Sequence, residues 1–227
     1  NANMLANEMF LDSASIRSSI VSHAKTLGYV PSSARAAKAT VDVTLNTNSS
    51  TATMPAGTVF STKVGDTTFQ FSTIEAFTKS NTGNSIPFVG VDIYEGTFIT
   101  TRYTVDSSDI DQRFLLTDNR ADTSTLIVKV QTSSSDSTTT TFTEATDITQ
   151  VTAGSNVFFL QEVEAGLFEV YFGDGVIGTA LSDDNIVILT YVVSNKSAAN
   201  GASIFTNVAS IASVTDISVA TAATASA

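Results

Sequence analysis

The sequence predicts an α+β protein that is mainly β. Three observations carry this: only one segment, near the N-terminus, repeats its apolar residues at helical spacing; from Lys38 onward the apolar period is two; and clusters of Gly, Pro, Asn and Asp divide the chain into runs of strand length. With 227 residues, 42% of them hydrophobic, the chain can bury the core of one large domain or two small ones.

Residues 3–28 read as the helix. Asp12 is the expected N-cap of "SASIRSSIVSHAKTLG", and Ile16, Ile20, Ala24 and Leu27 recur on one face. Gly28 suits the left-handed position just past the helix, and Pro31 forbids continuation.

"KATVDVTLNT" then places Val41, Val43 and Leu45 on one face of a strand and Thr40, Asp42 and Thr44 on the other. Pro55 and Gly57 mark a turn, and "VGDT" reverses the chain between Val59-Phe60 and Phe69-Phe71, which predicts a hairpin. After the turn chemistry of "KSNTGNS" come "FVGVDIYEG", "TFITTRYTV", "RFLLT" and "TLIVKVQT", all β-rich. The low-complexity run Ser133 to Thr141 cannot bury apolar area and is expected at a hairpin tip. "NVFFLQEVEAGLFEVYFGDGVIG" and "NIVILTYVVSN" give three to four further strands, the last apolar enough for a sheet interior. Residues 197–227, rich in Ala, Ser and Thr, show no readable structure of their own, and the start at Asn1 and the ending "TAATASA" lead us to expect a longer parent chain.

Charge and composition exclude several functions. Twenty-two acidic against eleven basic residues give a net charge of -11, which repels nucleic-acid phosphates and anionic membrane surfaces, so neither is an expected partner. Without Cys there is no thiolate metal site and no disulfide; no apolar run reaches the roughly 20 residues of a membrane span, and we expect a soluble protein. No metal or cofactor is expected. His23 is the single histidine and no nucleophile elbow accompanies it, so it reads as a surface or interface residue rather than a catalyst. The neighbouring carboxylates Asp109/Asp111, Glu162/Glu164 and Asp183/Asp184 read as solvated faces or turns, because glycosidase chemistry needs two carboxylates that converge from separate elements. Gly173-Asp174-Gly175 holds one Asp where a calcium loop needs several oxygen ligands, and it lacks the Lys and following helix of a phosphate loop. It is expected to be a hairpin turn. The glycosylation patterns at Asn48 and Asn195 are discounted as chance matches.

Two segments carry a resemblance. "FEVYFGDGVIGTALSDDNIVILTYVVSNKSAANG", through Phe172 to Gly178, Tyr191 and Asn200-Gly201, resembles the signature of the baseplate-J-like family of contractile phage tails. "FLDSASIRSSIVSHAKTLGYVPSSARAAKATVDV" is similar to the same family's helix and the "LGY-P-S" stretch leading into its first strand. Together they cover roughly residues 9–78 and 163–205.

The resemblance implies a discontinuous organisation: a helical arm at 1–37, a core β domain from 38–78 with 155–196, an inserted β-rich subdomain at 79–154, and the 197–227 tail. It implies a virion structural protein, not an enzyme, assembled in the host cytoplasm into the tail baseplate. Two copies join a third, long protein in a wedge, six wedges ring the tail hub, and the ring rearranges when the sheath contracts. In that role Ile16, Ile20, Ala24 and Leu27 would pack against partner helices, and Gly173, Asp174, Gly175 and Gly178 would form a structural turn that fixes hairpin register. The alternative is a secreted or surface β-sandwich module binding carbohydrate through Tyr94, Phe98 and Tyr103. A hydrolytic enzyme is the third reading.

Overall fold

The computed structural model describes residues 6–29, 31–109 and 112–227, so residues 3–5 of the expected helix and Asp111 of the acidic pair lie outside it. The chain is mainly β, with two nearly closed, barrel-like sheets. The α-helix α1 spans Arg17–Thr26. The strands that follow are β1 (Lys38–Asn46), β2 (Thr51–Met54), β3 (Val59–Val64), β4 (Thr67–Ser72), β5 (Phe77–Ser80), β6 (Ser85–Glu95), β7 (Thr97–Thr104) and β8 (Phe114–Leu116). Beyond them lie β9 (Ala121–Gln131), β10 (Thr139–Glu144), β11 (Val157–Glu162), β12 (Phe168–Phe172), β13 (Ile186–Val193), β14 (Thr206–Asn207) and β15 (Ile217–Ser226).

Contacts group the chain into two compact units. The first holds the chain up to Ser33 with 101–119 and 127–189; the second holds 34–100, 120–126 and 190–227. Residues 79–100 therefore group with 38–78, because β6 pairs with β1 along most of its length, and residues 155–189 group with the first unit.

The second unit is built on a six-stranded sheet in the order β14-β3-β4-β6-β1-β15, with a two-stranded β2-β5 sheet beside it in sequence. The alternation in β1 is observed as predicted: Val41, Val43 and Leu45 are fully buried and Thr40, Asp42 and Thr44 are half-buried. Its pairing with β6 shifts register between Val41 and Val43, where Gly90 takes φ +69° and donates its N–H to Asp42 Oδ1 at 2.7 Å, the geometry of a bulge that only Gly enters without strain. The β3-β4 hairpin forms at the predicted place, Phe60 opposite Phe71, around the two-residue turn Gly65-Asp66. Phe60, Phe71, Leu45, Met54, Ile86 and Ile93 are fully buried in one cluster, each contributing about 1.5–3 kcal/mol of transfer free energy.

The tail is part of this cluster. Phe205 packs edge-on to Phe71 with ring centroids 4.9 Å apart, and Ile211 is 2% exposed. Residues 206–207 and 217–226 become the two outer strands of the sheet, so a segment unreadable in isolation acquires its conformation from β3 and β1.

The seven-stranded sheet has the order β7-β13-β9-β10-β11-β12-β8. β13 lies between two neighbours, the interior position its apolar run predicts. Residues 133–138 form the tip between β9 and β10, while Thr139 to Thr141 join β10. In the first unit an edge-to-face series of rings, Tyr103 on Phe114, Phe114 on Phe172 and Phe172 on Phe142, spans centroid distances of 5.8, 5.5 and 5.3 Å. Such contacts contribute about 0.5–1.5 kcal/mol each beyond area burial.

Candidate functional site

The N-terminal segment presents the largest concentration of exposed apolar side chains. Met9, Phe10, Leu11, Ile16, Ile20, Leu27 and Tyr29 make up half of the fourteen large hydrophobics that stand exposed among the described residues. Leu27 is 73% exposed and Ile20 37%, Ala24 is half-buried, and the buried residue of α1 is Val21. Of the expected packing stripe, Leu27 thus stands open, Ile16 and Ile20 are partly covered by their own chain and Ala24 is half-buried.

The start of α1 corrects the sequence expectation. Asp12 is not its N-cap: the cap position is Ile16, with no capping side chain of its own. Glu8 supplies the missing acceptor from a preceding turn. Its Oε1 accepts from Ser15 N at 3.0 Å and Ser15 Oγ at 2.9 Å, and its Oε2 accepts from Ile16 N at 3.2 Å. These bonds, led by that from the Ser15 backbone, hold the Glu8 carboxyl down at about 2. A carboxylate beside the first turn also meets the positive end of the helix dipole. His23 Nε2 donates to the Glu8 carbonyl at 2.9 Å, so the single histidine ties this turn to the helix.

The helix stop is as predicted. Gly28, at φ +76°, donates its N–H to Lys25 O at 2.9 Å, and Tyr29 N donates to Ala24 O at 3.0 Å, the paired bonds of a Schellman motif. Arg17 anchors the other end through Glu162 at the end of β11, and between them a cleft of about 660 Å³ is lined by Val21, Lys25, Val163 and Ala165.

Gly173-Asp174-Gly175 is a turn, but not a hairpin turn. The sheet neighbours of β12 are β11 and β8, and the next strand in sequence, β13, lies elsewhere in the order, so no strand pairs across the loop. The loop closes on its own backbone instead. Asp174 Oδ1 accepts from Val176 N at 2.9 Å and Ile177 N at 3.0 Å, and Gly175 N donates to Gly178 O at 3.0 Å. The bonds from Ile177 and Val176 lower the Asp174 pKa. Gly178 N donates to Thr152 O at 3.1 Å, and a Cβ at Gly173 would stand 2.2 Å from Ile177 O, so the close approach admits no side chain.

The remaining candidates separate. Asp183 accepts from Ser107 N at 2.8 Å, and Asp184 adopts φ +64° in a turn. Glu162 is taken by Arg17. Among the described residues no group of three or more His, Asp or Glu is placed to hold a metal ion. The three aromatics of the carbohydrate reading are half-buried: Tyr103 donates to Leu115 O at 2.7 Å, Phe98 covers Gly57, and Tyr94 lies under Lys38.

Sequence reasoning passed over the buried carboxylates Glu95, Asp122 and Glu169, and it read Glu162 as solvated, whereas Glu162 is 1% exposed on the inward face of β11. A signal exists for two of them: Glu95 is in phase with Val91 and Ile93 on β6, and Glu162 with Phe158 and Leu160 on β11, which assigns each to an inward face.

No protein-family model and no curated protein matches the chain.

Proposed function

We propose that the protein is a structural subunit of a contractile-tail baseplate, a wedge component that builds the ring around the tail hub. The observation that carries this reading is the exposed apolar set between Met9 and Tyr29, in the segment that leads into, forms and leaves a helix pinned by Glu8, His23 and Arg17. Apolar surface concentrated in so short a segment is characteristic of protein–protein contact, and a ring subunit acts through its interfaces and their switching between packings. In this role the helical arm reaches a neighbouring wedge protein or a second copy, and the Gly173 to Gly178 loop is a rigid element of the scaffold. The motifs at Phe172 to Gly178 and in the N-terminal segment support the same assignment.

The experiment is to tag the full-length protein in its native setting, purify it with its bound partners and examine the particles by negative-stain microscopy. Elongated multi-protein wedges or sixfold rings are expected. A monomer that brings down no partner overturns the reading.

A further inference from the structure

Glu95 ends β6 on its inward face and is 1% exposed. Its oxygens are served by one residue: Asn195 N donates to Oε2 and Asn195 Nδ2 to Oε1, both at 2.8 Å. A carboxylate has about four acceptor positions, so about half of them go unused. The other buried carboxylates among the described residues are better matched. Glu162 is paired with Arg17 and Glu169 with Arg113, while Asp122 accepts from Ala36 N, Ser124 N and Ser124 Oγ. Among the described residues Glu95 has no cation within ion-pair distance and no third donor, and burying a carboxylate on those terms is unfavourable until a charge is brought to it.

Glu95 and the Asn195 that bonds its carboxylate both line an open cleft of about 510 Å³, with Thr68, Phe69, Gln70 and Thr97 around them. Asn195 is exposed whereas Glu95 is not, so a neutral amide is the cover over a buried charge. The backbone beneath is closely packed: Gly96 sits at φ +127°, donates its N–H to Gln70 O at 2.9 Å, and would place a Cβ 2.2 Å from Val193 O, so no side chain fits there. Two hydrogen bonds hold Glu95 beside Asn195 above this floor.

We propose that this cleft binds a guanidinium group, presented as an arginine side chain of a partner protein; the proposal stands independently of the baseplate reading. The planar fork gives two parallel charge-assisted bonds to a carboxylate, which outcompete the neutral Asn195 amide, while the Asn195 backbone N–H can stay in place. Thr68, Thr97 and Gln70 bring acceptors for the remaining N–H groups, and Phe69 gives an apolar wall. Lysine's ammonium cannot make the paired contact. The chain's net charge of -11 favours approach of a basic partner.

The test is an NMR titration of the intact ¹⁵N-labelled chain with N-acetyl-arginine amide, following the Asn195 side-chain amide and the Thr68 and Gln70 backbone resonances. The expected result is saturable shifts at these groups, about tenfold weaker binding of N-acetyl-lysine amide, and no saturable response in Glu95→Gln. Absence of saturation, an equal response to the lysine analogue or to sodium chloride at matched ionic strength, or unchanged binding in Glu95→Gln overturns the proposal. Should Glu95→Gln fail to fold, Asn195→Ala decides: it removes the cover and keeps the charge, so it binds the arginine probe at least as tightly as the wild type, and loss of binding there overturns the proposal.

Discussion

Arg17 and Glu162, 145 residues apart, form a two-pronged ion pair with Nε to Oε1 at 2.9 Å and Nη2 to Oε2 at 2.7 Å. The partners are unequally buried: the Glu162 side chain is 2% exposed and that of Arg17 64%. Arg17→Ala strands a desolvated carboxylate. Because Arg17 is largely in water, we expect a loss of about 1–3 kcal/mol rather than the larger cost of breaking a fully buried pair, read from urea unfolding. Amide exchange within α1 should accelerate in the same variant, and Arg17→Lys, which keeps the charge but not the fork, should lie between it and the wild type.

Acid should loosen the start of α1 through Glu8. Its folded pKa of about 2 is below the ordinary value of 4.5, so its stabilising contribution is fully present above 4.5 and is lost as pH falls toward about 2. Following the Ser15 and Ile16 amide resonances across that window should show them moving together. Glu8→Gln, which cannot titrate, should abolish that movement and resemble the acid form already at neutral pH.

Glycine-to-alanine substitutions in the 173–178 loop should rank by contact rather than by φ alone. Gly173→Ala forces a Cβ to 2.2 Å from a backbone oxygen, and a loss of about 2–3 kcal/mol is expected. Gly178→Ala adds a 3.1 Å contact with Val157 to a φ of +82°, whereas Gly175→Ala, at φ +86°, meets Ala180 at an ordinary 3.7 Å and should cost about 1–2 kcal/mol from backbone strain. Urea midpoints in the order Gly173→Ala, Gly178→Ala, Gly175→Ala, lowest first, are the expected outcome.

Ile20→Asp with Leu27→Asp tests the assembly surface. Leu27 is 73% exposed, so its substitution should leave the isolated chain within about 0.5 kcal/mol, whereas Ile20, 37% exposed, should cost about 1 kcal/mol without unfolding it. Particle assembly in the native setting should fail. Normal assembly of this double variant removes α1 from the interface.

How much of this was legible depends on the range of the interactions involved. The alternation around Val41, Val43 and Leu45, the Gly65-Asp66 hairpin and the Gly28 stop are local, and each is seen where the sequence places it. The start of α1 was not legible, since its acceptor comes from Glu8, eight positions before Ile16, whereas Asp12 offers an ordinary capping pattern. The Gly173 to Gly178 loop has the composition of a hairpin turn, and only the strand order, a long-range property, separates the two. Strand periodicity could have flagged Glu95 and Glu162 as inward-facing; the partners Asn195 and Arg17 lie too far along the chain to be inferred.

The pairing of β1 with both β6 and β15 sets a schedule for folding. Val43 faces Phe88 on one side, a residue translated soon after it, and Val219 on the other, from the far end of this sequence. The first contact closes a short loop and the second a long one, whose entropy must be met before the pairing stabilises anything. On the ribosome, β1 is therefore held by β6 alone with an open edge until β15 emerges. Catching that edge early, by a chaperone or by a second nascent chain, is the point at which synthesis of this protein is most exposed to mispairing.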